Sequence, residues 1–292
     1  MIDTRLYTFL TLIEEKNFTR TAKKLYITQP AVTHHIKTLE KDHDITIFKN
    51  TKTFELTMAG YLLKEYAETA ISQFKHFENR LINRDEKVIS NIAITPMVST
   101  CLKNTDFKNF FYRNNVKFNI FAHSYNKIVE ALQEGTIDFA LVDNNFDSSN
   151  FYSKDLYTEN IILICNPNGK YANKERITRE QLLSSILVMS DKGSGLYETS
   201  MQALKHKNLN TKNSVIIYSN IVDWIVQEVL SNDGIGFVYL NSVVDYIEKG
   251  IVKKIDLLNF QATQNFYLLY NRTGFLPEEV KSLIEDFEKT LK

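Results

Sequence analysis

Apolar residues recur with a helical period at the start of the chain. Leu6, Phe9, Leu10 and Ile13 stand at i, i+3, i+4 and i+7 and predict an amphipathic helix that ends near Asn17. Asn17 is suited to cap a second helix that holds Ala22 and Leu25 inward. "YIT" then makes a tight turn before Thr28 caps a third helix with Pro30 in its first turn, where a missing N–H costs no hydrogen bond. At about 100° per residue, Val32, Ile36 and Leu39 share one face of this third helix. Pro30, Thr33, His34, Lys37 and Lys41 share the opposite face, which is polar and cationic. "ITIFKNTKTFEL" alternates apolar and polar residues about "NTK", the pattern of a two-stranded wing. Helix, turn, helix and wing together make an arrangement that reads a DNA groove.

From Thr57 to Lys87 no helix breaker occurs, and Leu63, Ala67, Ala70, Phe74, Phe77 and Leu81 are spaced 4, 3, 4, 3, 4. That spacing is a coiled-coil seam and predicts a dimerisation helix. Beyond Glu86 strands and helices alternate: "VISNIAIT", a helix over Lys103 to Phe111, "KFNIFA", "NKIVEALQEG" closed by Gly135, and "IDFALV". The order repeats in "SILVMS", "LYETSMQALKHK", "NSVIIY", "IVDWIVQEVL" and "GIGFVYL", which predicts two α/β units with parallel sheets. "FYLLY" and a last helix, "PEEVKSLIEDFEKTL", follow the second unit and can return to complete the first.

Composition narrows the function. With 292 residues and 43% apolar side chains the chain can bury more than one core. No run approaches the roughly 20 apolar residues of a membrane span, and Glu14, Glu15 and Lys16 interrupt any signal-peptide core, so a cytoplasmic protein without membrane contact is expected. The 35 basic and 35 acidic residues balance, which confines any nucleic-acid surface to a local patch. Cys101 and Cys165 have no metal-ligand spacing, and the adjacent His34 and His35 point about 100° apart on a helix, so no metal site and no cofactor are expected. "DKGSG" has Lys192 where a nucleophile elbow needs glycine, and no GxGxxG, HExxH or GxxxxGK[ST] occurs, which leaves catalysis without a centre.

"FTRTAKKLYITQPAVTHHIKTLEKDHDITIFKNTKTFELTMAG" closely resembles the DNA-binding segment of LysR-type transcriptional regulators. The phrases "IVEALQEGTIDFALVD", "GSGLYE" and "VLSNDGIGFVYL" are similar to their effector domains. The resemblance implies a winged helix-turn-helix over residues 1–60, a linker and dimerisation helix over 57–87, and a periplasmic-binding-protein-like effector domain over 88–292. That domain would consist of two Rossmann-like subdomains, the first about 88–163 with 265–292 and the second about 164–264. It implies further that Gln29, Pro30, Thr33 and His34 face base edges, Gln29 suited to adenine and Pro30 to a thymine methyl, with Lys37, Asn50, Thr51 and Lys52 completing the DNA surface. His34 and Asn50 depart from the family, which usually carries Arg or Lys at the first position and Arg at the second.

In open α/β sheets ligands bind beyond the carboxyl ends of strands, at helix N-termini. The matching junctions hold Thr95, Met97, Val98, Ser99, Ser124, Asn126, Ser190, Ser219 and Asn220, which are the candidate effector contacts. In the family the loop after the first strand and the loop before "IVDWIVQEVL" commonly supply such contacts. Met97 and Val98 are apolar, which favours an effector less polar than a simple carboxylate or sulfate. The expected partners are double-stranded operator DNA, a small-molecule effector, and a second copy in a homodimer or homotetramer, with RNA polymerase as a further candidate. The alternatives are an enzyme fused to a winged helix and a thiol sensor built on Cys101, placed near a helix N-terminus that would lower its pKa.

Overall fold

The computed structural model describes residues 2–82, 89–104, 117–146, 151–212, 214–258 and 260–272, together with Lys281, Ser282 and Glu285. The chain divides into two compact units, one made mainly of Met1–Asp85 and the other beginning at Glu86.

The first unit opens with α1 (Thr4–Glu15), α2 (Phe18–Lys24) and α3 (Gln29–His43). Side-chain oxygens satisfy the free amides at each start: Asp3 accepts from Arg5 N at 2.9 Å, Asn17 from Arg20 N at 3.0 Å and Thr28 from Ala31 N at 3.3 Å. Lys16 ends α1 in the left-handed region. Phe9, Leu12, Val32, Leu39 and Ile47 are buried at one centre, each contributing about 1.5–3 kcal/mol by leaving water. β1 (Phe48–Asn50) and β2 (Glu55–Leu56) pair antiparallel as the wing, with the turn at 51–54 rather than on "NTK" alone. α4 (Met58–Ile82) then starts from Thr57, whose hydroxyl accepts from Gly60 N at 3.0 Å. Gly60 is required there, since a Cβ would sit on the Ile47 carbonyl.

The second unit carries one mixed sheet rather than two parallel ones. β3 (Ile89–Ile94) lies between β4 (Lys117–Ala122) and β5 (Phe139–Val142), all parallel. β8 (Leu187–Met189) lies between β9 (Ile216–Tyr218) and β10 (Ile235–Tyr239), again parallel. Two long strands, β6 (Phe151–Cys165) and β12 (Ala262–Asn271), run antiparallel to each other and join the two sets, β12 to β5 and β6 to β10. The expected return of "FYLLY" to the first set is therefore present as β12. β6 has no counterpart in the sequence reading, because its polar first half, "FYSKDLYTEN", shows no sustained apolar alternation. Two shorter strands extend this edge: β11 (Lys253–Leu257) pairs antiparallel with β6, and β7 (Arg176–Ile177) pairs parallel with β11.

The helices of this unit are α5 (Pro96–Lys103), α6 (Tyr125–Glu134), α7 (Arg179–Leu183), α8 (Gly195–His206), α9 (Val222–Ser231) and α10 (Leu240–Glu248). α5 begins directly after β3, not at Lys103: "TPMVST" is a cap and first turn, with Pro96 pre-set for the first helical position. The remainder of the helix expected to Phe111 lies outside the described residues. So does the last helix, apart from Lys281, Ser282 and Glu285. Ile92, Leu141, Val188 and Val238 enter the largest core from one set of strand faces, while Ala93, Ala140 and Val142 enter another. Strands covered on both faces read as continuous apolar runs.

Candidate functional site

The outward face of α3 carries the first site. Gln29, Pro30, His34 and Lys37 are exposed and Thr33 is half-buried, while Val32, Ile36 and Leu39 hold the opposite face in the core. Gln29 Nε2 donates to Thr33 Oγ1 at 3.0 Å, which presets the amide along the helix. The two histidines part company: His34 faces out, and His35 turns in, its Nδ1 2.8 Å from Thr8 Oγ1 of α1. On the wing, Asn50 Oδ1 accepts from Lys52 N at 2.8 Å and so shapes the turn that exposes Thr51 and Lys52. Lys49 is spent on Glu55 at 2.8 Å and Lys24 on Glu14 and Glu15. Lys37 and Lys52 make no ion pair among the described residues. Tyr26, 96% exposed at φ +55° in the turn before α3, belongs beside this face, and the sequence shows it only as part of a turn.

The expected seam of α4 divides. Leu63 and Ala67 are buried in the core of their own unit, with Ala70 packed against it, so they are not free to meet a second copy. Phe74 is half-buried, and Phe77 and Leu81 are exposed. The exposed apolar row instead runs through Met58, Leu62, Tyr66 and Phe77, with Tyr61 beside it. Spacing alone does not mark the exposed row, because Met58, Leu62 and Tyr66 step by four as core residues of a helix also do, and the next member, Phe77, comes eleven residues later.

The second site is a cavity of about 110 Å³ where the carboxyl ends of strands from both parallel sets meet. Of the candidate contacts, Thr95, Met97, Ser124, Asn126 and Asn220 line it. Val98 is fully buried in the core, Ser99 faces solvent on α5, and Ser190 is buried with its hydroxyl donating to Asp191 Oδ1 at 3.2 Å. Ser219 does not reach the cavity; its oxygen accepts from Ile221 N at 3.2 Å. The sequence reading missed Asp143 and Asn144 at the end of β5, while the junction after β8 that it read from Ser190 to Gly195 does line the cavity, through Asp191, Lys192 and Gly193 rather than Ser190. The same strand-end rule that selected Thr95 applies to "FALVDNN" and would have found Asp143 and Asn144.

Asp143 organises the cleft. Its carboxyl is 1% exposed and accepts from Thr95 Oγ1 at 2.9 Å, Tyr239 OH at 2.8 Å and Leu196 N at 3.2 Å, joining β3 and β5 of one set to β10 and α8 of the other. The Thr95 hydroxyl is thereby committed within the protein. Gln264 donates to the Asp143 carbonyl at 2.7 Å. α8 approaches so closely that a Cβ at Gly195 would overlap that same carbonyl. Burial pushes the Asp143 carboxyl above its ordinary range, and Glu159, also buried, is pushed up for the same reason. Lys192 Nζ lies 5.4 Å from the centre of the Tyr218 ring at the cleft margin.

Neither thiol is activated. Cys101 sits in the last turn of α5, not the first, and burial drives its pKa well up; burial likewise pushes Cys165 up to about 11. Both stay protonated at neutral pH, which removes the physical basis for the thiol reading.

A winged helix-turn-helix with a polar, cationic reading face, followed by an α/β unit whose two strand sets close on a polar cleft, defines the class of ligand-responsive DNA-binding regulators. Two family descriptions match: "Bacterial regulatory helix-turn-helix protein, lysR family" over residues 4–61 and "LysR substrate binding domain" over 113–292. The chain belongs to the LysR family of transcriptional regulators and is a DNA-binding, non-enzymatic regulator with an effector-binding domain. It is 26% identical over 285 residues to the HTH-type transcriptional regulator MJ0300 of Methanocaldococcus jannaschii, an alignment that covers 95% of each chain. Its fold is similar to that of full-length OxyR from Pseudomonas aeruginosa, with a TM-score of 0.61 and 17% identity over 99% of this chain and 95% of that one. Full-length CbnR in complex with its target DNA is likewise similar, with a TM-score of 0.58 and 15% identity over 99% and 100% of the two chains. No helix among the described residues is long and apolar enough to cross a membrane.

Proposed function

We propose that the protein reads its operator through Gln29, Pro30, Thr33 and His34 of α3, with Lys37, Lys52 and Tyr26 holding phosphates, and that a small molecule in the strand-end cleft modulates this binding. The carrying observation is the exposed, preset amide of Gln29 on a helix that also exposes Lys37, without an ion-pair partner among the described residues, and whose opposite face is fixed in the core. An amide of this kind suits the N6 and N7 edge of adenine. A homodimer joined along the exposed row of α4 would place two such helices about one turn of DNA apart, or a multiple of it, and a tetramer would pair two dimers. RNA polymerase is a further partner if the regulator activates. Ligand bound between the strand sets would favour one arrangement of the cleft, and the long helix would pass that bias to the reading heads. The test is Gln29→Ala, which should cost about 1–3 kcal/mol on the operator while sparing random DNA. Equal loss on both in a competition gel shift would exclude base reading by Gln29.

A further inference from the structure

The reading helix α3 is held against α1 in two different ways. Phe9 and Leu12 of α1 share a core with Val32, Ile36 and Leu39 of α3. Apolar burial of this kind is strong but has no direction, so it leaves a helix some freedom to turn about its axis. Two polar ties add direction. His35 Nδ1 lies 2.8 Å from Thr8 Oγ1, a hydroxyl whose other neighbour, the Thr4 carbonyl, is at 3.5 Å. Arg5 Nη1 donates to Asp42 Oδ2 at 2.6 Å, while its Nε is fixed on Asp3, the cap of α1, at 2.9 Å to Oδ1 and 2.8 Å to Oδ2.

The two ties are placed to set an angle. Arg5 and Thr8 stand three residues apart on α1, and His35 and Asp42 seven apart on α3, so each pair shares one face of its helix. On α3 the two anchors are about 10 Å apart along the axis. Two fixed points on one face of a helix determine both its rotation and its tilt. The reading side chains depend on that setting, because their tips lie about 6 Å from the axis and a turn of about 10° carries them about 1 Å. An N–H···O bond keeps its strength over a range of only about 0.5 Å. Lys37, on a flexible stem, can follow a phosphate through such a turn, whereas the preset amide of Gln29 cannot follow a base edge. His35 is half-buried and turned in against α1, so its influence on DNA passes through Gln29, Thr33 and His34.

We propose that His35, through Thr8, is a positioning residue that fixes the rotation of the reading helix and so sets the specificity of the protein for its operator, with the Arg5 and Asp42 pair as the second anchor. This rests on the reading of α3 as the base-contacting helix.

The test compares the full-length protein's affinity for the duplex that the parent enriches from a randomised library with its affinity for a shuffled duplex of the same composition. Partial unfolding lowers both affinities by one factor, so a merely structural defect leaves their ratio unchanged. His35→Ala should lower the ratio about tenfold while binding to the shuffled duplex is kept. Thr8→Val, which keeps the shape of a buried side chain and removes its hydroxyl, should lower it as much, and the double variant no further, because both cut one tie. His35→Asn, whose Oδ1 stands where Nδ1 stood, should restore it. An unchanged ratio in His35→Ala and Thr8→Val, additive losses in the double variant, or no recovery in His35→Asn overturns the assignment. Should the Thr8 and His35 variants not fold, Asp42→Ala cuts the second tie at an exposed side chain and should lower the ratio about threefold; an unaltered ratio there removes the second anchor and with it the two-point setting. Gln29→Ala separates the two readings. If it lowers both affinities equally, the base-contact reading of Gln29 fails; if it lowers the ratio while His35→Ala does not, α3 reads bases and His35 does not position it.

Discussion

Asp143 shows how much one side chain can be asked to do. Its carboxyl holds three donors from both strand sets without access to water, and burial keeps its pKa above the ordinary 3.8 despite those hydrogen bonds. The folded chain therefore retains a proton that the unfolded chain has released. Its contribution to stability is complete below 3.8 and is lost as pH rises through the folded value. In Asp143→Asn the amide can donate to Thr95 and its oxygen can accept from Leu196 and Tyr239, so the network survives without the titration. Urea midpoints at about pH 5 and about pH 8 should lie closer together in this variant than in the parent; an unchanged gap would assign the loss to other groups, Glu159 first. At the other unit, Tyr26→Ala should weaken operator and random DNA alike by about 1 kcal/mol without lowering the melting temperature, because the ring touches little of its own fold. A selective loss on the operator would instead make Tyr26 a base reader.

The long helix α4 serves two masters along its length. Its Leu63, Ala67 and Ile71 row completes the core of the winged helix, and its Met58, Leu62, Tyr66 and Phe77 row faces solvent. Substitutions on the two rows should have opposite consequences. Tyr66→Asp is expected to shift sedimentation toward smaller species with little change in melting temperature, because it desolvates a charge only when a second copy arrives. Leu63→Ala should lower the stability of the first unit by about 2–5 kcal/mol through the cavity it leaves, with the oligomer otherwise intact. If Tyr66→Asp sediments as the parent does, the exposed row is not the dimer contact.

At the scale of the whole molecule a neutral chain must bind a polyanion. With 35 basic and 35 acidic residues there is no bulk attraction, and Lys24 and Lys49 of the winged helix are already paired. Binding should therefore depend on few phosphate contacts. Replacing Lys37 with Ala should lower the slope of log K against log salt by about 0.9 for each contact removed, hence by about twice that in a dimer, on operator and random DNA equally. An unaltered slope in a filter-binding titration would take Lys37 off the phosphates.

Local rules were enough for the elements of the winged helix. Each helix there has its own cap, and the apolar period of α3 fixes which face is free, so Asn17, Thr28 and the Val32, Ile36 and Leu39 stripe are legible without a structure. Most parallel strands are legible for a similar reason: burial on both faces leaves runs such as "FALV" and "GFVY". Long-range pairing was not legible. β6 hides behind a polar half whose partner, β12, stands about a hundred residues away, and only their ladder shows that the two α/β halves share one sheet. The same holds within the cleft. Strand-end position pointed to Thr95, Ser124 and Asn220, but whether a hydroxyl is free for a ligand depends on what else approaches it, and Thr95 is taken by Asp143 from 48 residues away. Sequence by itself determined the helices of the first unit, most of the parallel strands and the outward face of α3, because those follow from contacts between near neighbours on one helix or strand. Only the tertiary structure decided which row of α4 is spent on the core and which donors of the cleft are already used, because satisfaction of a buried polar group is a property of everything packed around it.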